Sequence, residues 1–453
     1  MHSTAAARAS TGEVRVAARV IAQDTDSLVL ADHEGTLEAS WANAENLVVG
    51  SWIVAVGAME MGVLRCTAVS IETLPLATYP RAGGDVRWFQ DDKRRRLNAL
   101  VQRSAILREI RSYFNNMDFI EVETPQMVPS PGLDVHLEAF EIGNRKRLSP
   151  ERETSKFFPE RETSKFFPER ETSQFFPERE TSQFFPERET NQFFPERETS
   201  KFYLHTSPEY QMKRLLVAGL PRVMQICRAS RRGEQGQRHE PEFTMLESYR
   251  AFAGSDDVMS DSECMVAQVA QAVLGQTRVV GAGGNEIDLA APWDRMTMHQ
   301  AFTQLAGVEV GDLLPDEEKF FLILTETIEP KLGRNKPVFL TEWPASMASL
   351  ARTFPDRPQL ADRFEAFVDG MELCNGFGEL VDPVEQRRRF VRDQEKRAEM
   401  GLAVYPLDER FLSALEEGMP PSGGNALGVD RLVMLLTGAK HIEDCVAFGA
   451  ERL

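Results

Sequence analysis

Between residues 222 and 251 the chain gathers Arg228, Arg231, Arg232, Arg238 and His239, with Glu234 and Glu242 among them. The planar fork of arginine suits phosphate oxygens. Gly233 and Gly236 would let such a loop bend close to a ligand. This composition fits a polyphosphate site and a hydrated surface hairpin equally well. A second group is Glu372-Leu373-Cys374-Asn375-Gly376-Phe377-Gly378-Glu379. Its two carboxylates, seven residues apart around an Asn-Gly turn, could face one another across a bend. Mg²⁺ takes oxygen ligands, typically one or two carboxylates plus nucleotide phosphates and water. Taken alone, this group reads as a surface turn before it reads as a metal site. A third group runs from Gly423-Gly424-Asn425 through Gly428 to Arg431. It matches neither GxGxxG after a strand nor GxxxxGK[ST], which excludes Rossmann and P-loop readings. Together the three groups point to an enzyme that handles a nucleotide.

These residues need a scaffold. Arg222–Arg232 and Glu242–Ala251 read as two strands of a hairpin, with the polar loop between them. Glu209–Ala218 reads as a helix opened by Ser207-Pro208, where serine caps and proline takes the first turn. Val258 to Leu332 reads as largely helical, Val338–Trp343 and Arg363–Leu373 as strands, and Pro406–Glu417 as a helix. The glycine-rich stretch from Gly418 leads into a terminal helix.

Upstream, Val14–Ile21, Ser27–Ala31, Thr36–Trp41, Ser51–Val56 and Val63–Ile71 read as short strands between polar turns. They predict a small closed barrel over residues 1–80, OB-like first and SH3-like second. Residues 81–91 read as a linker, and 92–453 as the catalytic domain. A helix carrying Leu97, Leu100, Val101, Ile106, Ile110, Tyr113 and Phe114 follows the linker, then a strand closed by Pro125. From Pro150 the unit Pro-Glu-Arg-Glu-Thr-Ser-Lys-Phe-Phe recurs every nine residues, in six copies ending at Tyr203. The copies contain no glycine and each carries a proline. They therefore read as a flexible insertion made by tandem duplication of one loop segment, five copies in excess.

The net charge of −18 argues against general nucleic-acid binding, which depends on neutralising phosphates. Five scattered cysteines without a CxxC pair argue against a disulfide framework and a structural zinc site. Neither a signal-type segment nor a membrane span is visible, so a cytoplasmic location is expected.

Taken in order, these motifs resemble class II aminoacyl-tRNA synthetases over residues 92–453, apart from the repeats. The helix from Asp92 with Val122-Glu123-Thr124-Pro125 looks like motif 1, Arg231 to Phe243 like motif 2, and Gly424 to Arg431 like motif 3. Thr206-Ser207-Pro208-Glu209 and Pro241-Glu242-Phe243-Thr244-Met245-Leu246-Glu247 are similar to lysyl-tRNA synthetases, and more so to the elongation factor P lysine ligase branch. The resemblance implies an α+β fold, an antiparallel sheet flanked by helices, and a homodimer formed through motif 1. It implies ATP and Mg²⁺, with lysine or β-lysine as amino acid. Arg231 and Arg431 would act on the phosphates, and Glu234, His239, Glu240, Phe243, Leu373 and Gly428 would line the ATP site. Glu372 and Glu379 would hold Mg²⁺. Ser207, Glu209, Tyr249 and Glu379 would contact the amino acid. The implied acceptor is a lysine of elongation factor P. The alternatives are tRNA, or a non-catalytic binding or regulatory protein. Three positions depart from the family pattern: Ser230 for an aromatic, Glu240 for an asparagine, and Ser248 for a tryptophan.

Overall fold

The computed structural model describes residues 1–81, 84–144 and 201–452. A short helix α1 (Thr4–Arg8) precedes five strands: β1 (Glu13–Gln23), β2 (Ser27–Ala31), β3 (Thr36–Ser40), β4 (Trp52–Glu60) and β5 (Val63–Thr73). They close into a barrel in the order β1-β2-β3-β5-β4, with β3 and β5 parallel. Alternate residues Val14, Val16, Ala18 and Val20 of β1 point inward against Leu28, Leu30, Leu37, Ile53 and Leu64. That period of two is the pattern the sequence displayed.

Helix α2 (Asp85–Asn116) begins seven residues before the expected Asp92, so most of the expected linker is its first turns. Ile106, Ile110, Tyr113 and Phe114 are buried, whereas Val101, expected on the same face, is exposed. Arg94 ties this helix to the barrel by donating to the carbonyls of Gly35 (2.7 Å) and Asp32.

Next come β6 (Ile120–Glu121), β7 (Met127–Val128), β8 (Glu141–Asn144), β9 (Lys201–Leu204), α3 (Glu209–Val217), β10 (Arg222–Ser230) and β11 (Glu242–Ala251). After α4 (Ser255–Leu274) the chain forms β12 (Arg278–Val280), β13 (Glu286–Asp288) and β14 (Asp294–Thr297) before α5 (Met298–Ala301) and α6 (Glu317–Ile323). The stretch expected to be largely helical therefore contains three short strands. β15 (Val338–Pro344), β16 (Thr353–Phe354), β17 (Arg357–Val368) and β18 (Met371–Gly378) follow, then α7 (Pro383–Glu399), α8 (Glu409–Gly418), β19 (Ser422–Gly428) and α9 (Val429–Thr437). The expected single strand Arg363–Leu373 is instead two, turning at Asp369-Gly370.

The main sheet has nine strands, in the order β14-β15-β17-β18-β19-β11-β10-β6 with β16 beside β17. It is antiparallel except at its two ends, where β14 runs parallel to β15 and β6 parallel to β10. Helices α2, α4 and α9 bury one face around Met224, Leu246, Phe364, Ala366 and Leu427. The other face holds the cleft. At one end of it Tyr210, Leu216, Phe390, Phe411 and Leu412 pack together. The fold is thus α+β, with a mixed rather than purely antiparallel sheet.

All but the last three residues of the repeat tract lie outside the described residues. Lys201-Phe202-Tyr203 belong to β9, which pairs with β8 as Asn144↔Lys201. The tract is therefore the connection of a hairpin. Removing five nine-residue units would leave an eleven-residue connection between Asn144 and Lys201. Loop-closure entropy then favours the shortened protein by about 1 kcal/mol. Thermal unfolding should show unchanged or slightly higher stability, with adenylate formation intact. A folded deletion variant unable to form adenylate would refute the duplicated-loop interpretation.

Candidate active site

The cleft is organised by the period of two in its strands. In β11, Phe243, Met245, Glu247 and Tyr249 all face it. The β19 residues paired with three of them are Gly428, Ala426 and Gly424. These small residues keep the floor open: a Cβ at Gly424 would collide with the Tyr249 ring and with Glu379 Oε1. The cavity measures about 250 Å³.

The β18 side needs a further device. Residues seven apart on a regular strand point to opposite faces. Here the register with β17 shifts between Ala366 (opposite Cys374) and Phe367 (opposite Glu372). The extra residue is a bulge. It returns Glu372 to the face of Asn375, Phe377 and Glu379. Asn375-Gly376 is thus not the expected turn but the middle of a strand, and the two carboxylates do not face each other across a bend. At about 3.3 Å per residue, Glu372 and Glu379 stand on the order of 20 Å apart along β18.

One end of the cleft is cationic. Arg231 lies over the Phe243 ring, its guanidinium carbon 5.0 Å from the centroid, with Glu234 at 3.7 Å. Its Nε is buried without a partner. Arg431 donates to the Glu372 carboxylate (2.9 Å) and carbonyl (2.8 Å) and to His239 Nε2 (2.7 Å). Burial, then the Arg431 charge, hold His239 below the ordinary imidazole pKa, which suits Nε2 as acceptor. Arg238 reaches the Gly370 carbonyl at 2.7 Å. The start of α9 is pinned from below: Asp430 accepts from Thr244 N–H (2.7 Å) and pairs with Arg103 of α2 (2.5 Å). An orphaned guanidinium N–H beside three further cationic or donor groups fits a triphosphate.

Glu372 has a neighbour that sequence reasoning missed. Glu365 of β17 lies directly opposite Asn375 and accepts from its amide (3.2 Å) and from Arg363 (2.6 Å). Burial pushes the Glu365 carboxyl up, and the nearby Glu372 charge adds to the shift. Burial acts on Glu372 in the same sense, but Arg431 outweighs it and keeps its pKa low. Among the described residues no group of three or more His, Cys, Asp or Glu forms a ready metal cage. Glu372 lines the cavity with Glu365 beside it, a carboxylate pair that would suit Mg²⁺, an ion that fills its remaining positions with phosphate oxygens and water.

The opposite end is acidic. Ser207 Oγ donates to Glu247 (2.5 Å) and accepts from Glu209 N–H (3.1 Å), although the cap of α3 is Pro208, one residue later than expected. Tyr249 donates to Glu247 at 2.8 Å. Lys213, one helical turn after Glu209, pairs with Glu209 and with Glu379 (2.5 Å). Burial works against the Lys213 ammonium, yet the two carboxylates outweigh it and hold its pKa above the usual lysine value. Glu379 Oε1 has no hydrogen-bond partner. Burial, reinforced by Glu209, pushes Glu247 up to about 7.

All the expected site residues except Glu379 line the cavity, and Glu379 sits just behind it. Lys213, Glu247 and Glu365 were not expected. The first was legible as the (i, i+4) partner of Glu209, and the second as the alternate position between Phe243 and Tyr249. Of the three departures, Ser230 and Ser248 face away from the cleft on the helix-covered side. Glu240 lines the cavity and accepts from Ala450 N–H (2.9 Å).

Comparisons with known proteins agree with this geometry. Residues 176–452 match the family of tRNA synthetases class II (D, K and N). Elongation factor P–(R)-β-lysine ligases of Salmonella gallinarum and Enterobacter sp. are each 35% identical over 357 residues, covering 78% of this chain and 95% of the relative. The barrel-bearing chain, with its cationic and acidic ends on one sheet face, is a ligase that belongs to the class II tRNA synthetase family.

Proposed function

We propose that the enzyme activates lysine or β-lysine with ATP and transfers the aminoacyl group to a lysine of elongation factor P. One observation carries this: a single sheet face has a cationic end built for a triphosphate and an acidic end built for an ammonium group. The amino acid carboxylate lies between them and is already ionised at neutral pH, so no general base is needed. Its oxygen attacks the α-phosphorus, the bond to the leaving pyrophosphate breaks, and an aminoacyl-adenylate forms. Arg231 takes up charge developing on the α-phosphate, Arg431 and His239 hold the distal phosphates, and Phe243 stacks on adenine. Glu234, Glu240, Leu373 and Gly428 complete the nucleotide wall. Glu372 with Glu365 would hold Mg²⁺, which neutralises phosphate charge. Glu379, too far along β18 to share that ion, serves the substrate amine with Ser207, Glu209 and Tyr249. In the second step the acceptor amine attacks the acyl carbon, an amide forms and AMP leaves.

The strand order and the parallel β3–β5 closure support an OB-like barrel. Residues 1–80 carry nine acidic and four basic side chains, which weighs against a barrel that grips tRNA. The exposed Val101 and Ile120 on α2 and β6 support a homodimer through motif 1. Among the described residues no helix is long and apolar enough to cross a membrane.

The deciding experiment supplies ATP, lysine or (R)-β-lysine, and either elongation factor P or tRNA. Mass spectrometry then follows acyl transfer. Transfer to elongation factor P is expected; transfer to tRNA alone would overturn the acceptor, and no pyrophosphate release with either amino acid would overturn the activity.

A pH dependence follows from Glu247. A substrate ammonium binds the ionised carboxylate, so apparent affinity weakens as pH falls through about 7. The KM for lysine should fall about tenfold between pH 6 and pH 8 through this group. Its raised pKa makes the same group destabilising for folding above its ordinary value of 4.5, fully so beyond about 7. Glu247→Gln should flatten the KM profile; an unchanged slope would contradict the assignment.

A further inference from the structure

Lys213 takes no part in the chemistry described above, although it is buried among the carboxylates of the acidic end. Its side chain is 1% exposed, against 0% for Glu379 and 14% for Glu209, and it pairs with both. Three aromatic rings, those of Tyr249, Phe377 and Phe411, enclose the ammonium with centroids 5.8 to 6.0 Å away. Glu247 is the third carboxylate of the group, fully buried and tied to Ser207 and Tyr249. Glu209, Glu247 and Tyr249 line the cavity, whereas Lys213 and Glu379 stand behind it. The lysine is therefore part of the wall.

We propose that Lys213 is a specificity-determining residue, a resident ammonium that leaves two of the pocket's three carboxylates without a counter-ion. This deepens the proposed lysine-activating function and rests on it. Buried charges are tolerated only when paired. With Lys213 in place, a diamino acid supplies the two ammonium groups that the set lacks. A monoamino acid leaves one buried carboxylate unpaired, and a neutral side chain of the same length gains nothing from the acid end. Without the resident cation, three carboxylates crowd one small volume. Glu209 and Glu379 then repel each other and lose the orientation that the shared ammonium imposes. Charge balance, rather than the bulk of Lys213, then selects the substrate class.

The test compares four proteins in lysine-dependent pyrophosphate exchange: unmodified, Lys213→Met, Glu379→Gln, and the double variant. Methionine and glutamine keep the shapes and remove the charges. Lys213→Met should raise the KM for lysine at least tenfold while leaving the KM for ATP within threefold. The double variant again has two uncompensated carboxylates. It should recover at least fivefold over Lys213→Met and bind lysine more tightly than Glu379→Gln alone. A KM for lysine unchanged in Lys213→Met, or a double variant worse than both singles, would overturn the proposal. Should Lys213→Met not fold, the comparison of the double variant with Glu379→Gln decides in the same way. No lysine-dependent exchange by the unmodified enzyme would overturn the lysine-activating function itself, and this proposal with it.

Discussion

Replacing Arg231 with alanine should lower lysine-dependent pyrophosphate exchange on the order of 10²- to 10³-fold, the typical cost of removing one donor aimed at developing charge. The loss should fall on kcat. Arg231 lies at the cationic end, over Phe243, and its buried Nε has no protein partner. In the proposed reaction it meets an oxygen whose negative charge grows during attack. An interaction that strengthens in the transition state affects kcat, whereas uniform binding affects only KM. The KM for lysine should therefore move little, because Glu209, Glu247 and Glu379, proposed for the substrate amine, lie at the other end. Arg231→Lys should recover only part of the activity, since an ammonium cannot make the bidentate contact. Steady-state kinetics of both variants checks this. A loss below tenfold, or one expressed wholly in the KM for lysine, would remove Arg231 from the phosphate site.

Glu379→Ala should have the largest effect on stability. Glu379 is 1% exposed, and its partner ammonium, on Lys213, is equally buried. Breaking a buried pair by deleting one member typically costs about 3–5 kcal/mol, because the other charge stays in a poor medium. Glu209 remains beside Lys213, which places the expectation near the lower figure of about 3 kcal/mol. For a large domain that corresponds to a Tm lower by roughly 6 °C. The gap beside Gly424 adds to the cost, and the KM for lysine should rise as well. Glu379→Gln preserves shape and one acceptor, so it should lie between alanine and the parent. Thermal unfolding of the three proteins measures the order. A Glu379→Ala protein as stable as the parent would show that the Lys213–Glu209 contact alone satisfies the ammonium.

Much of the scaffold was legible because burial leaves periodic traces. The five barrel strands alternate inward apolar residues, and the β10–β11 hairpin declared itself through its flanking strands and polar loop. Helix α7 left no such trace. Its buried positions include Gln386, Arg389, Asp393 and Arg397, with Phe390 the one large apolar residue among them. A polar buried face hides from any hydrophobic pattern. Yet α7 shapes the site. Arg397 donates to the carbonyls of Asp134, Val135 and Leu137, and so fixes the loop that lines the cleft. Arg389 does the same for Ala348 and Ala351.

The catalytic end was legible in residue type and order. Arg231 and Arg431 read as phosphate ligands and His239 as part of the ATP site, and the fold brings them to one cavity. The acidic half was legible only in pieces. Glu209 and Glu379 stood out, but the ion pair that binds Glu379 to Lys213 runs from a helix to a position just past β18, 166 residues later. The pairing of Glu365 with Glu372 depends on a bulge and on the turn at Asp369-Gly370, neither of which the sequence announced.

By itself, then, the sequence determined the kinds of chemistry: arginines for phosphate, carboxylates for a cation, small residues where the floor must stay open. Those are properties of side chains and local spacing, and they survive without a fold. Which carboxylate meets the Lys213 ammonium and which meets Arg431 was decided by the tertiary structure alone. A single bulged residue in β18 sets the face of Glu372, strand length separates it from Glu379, and a lysine from another element claims the latter. Distances between strands and the burial of charge do not exist until the sheet is assembled.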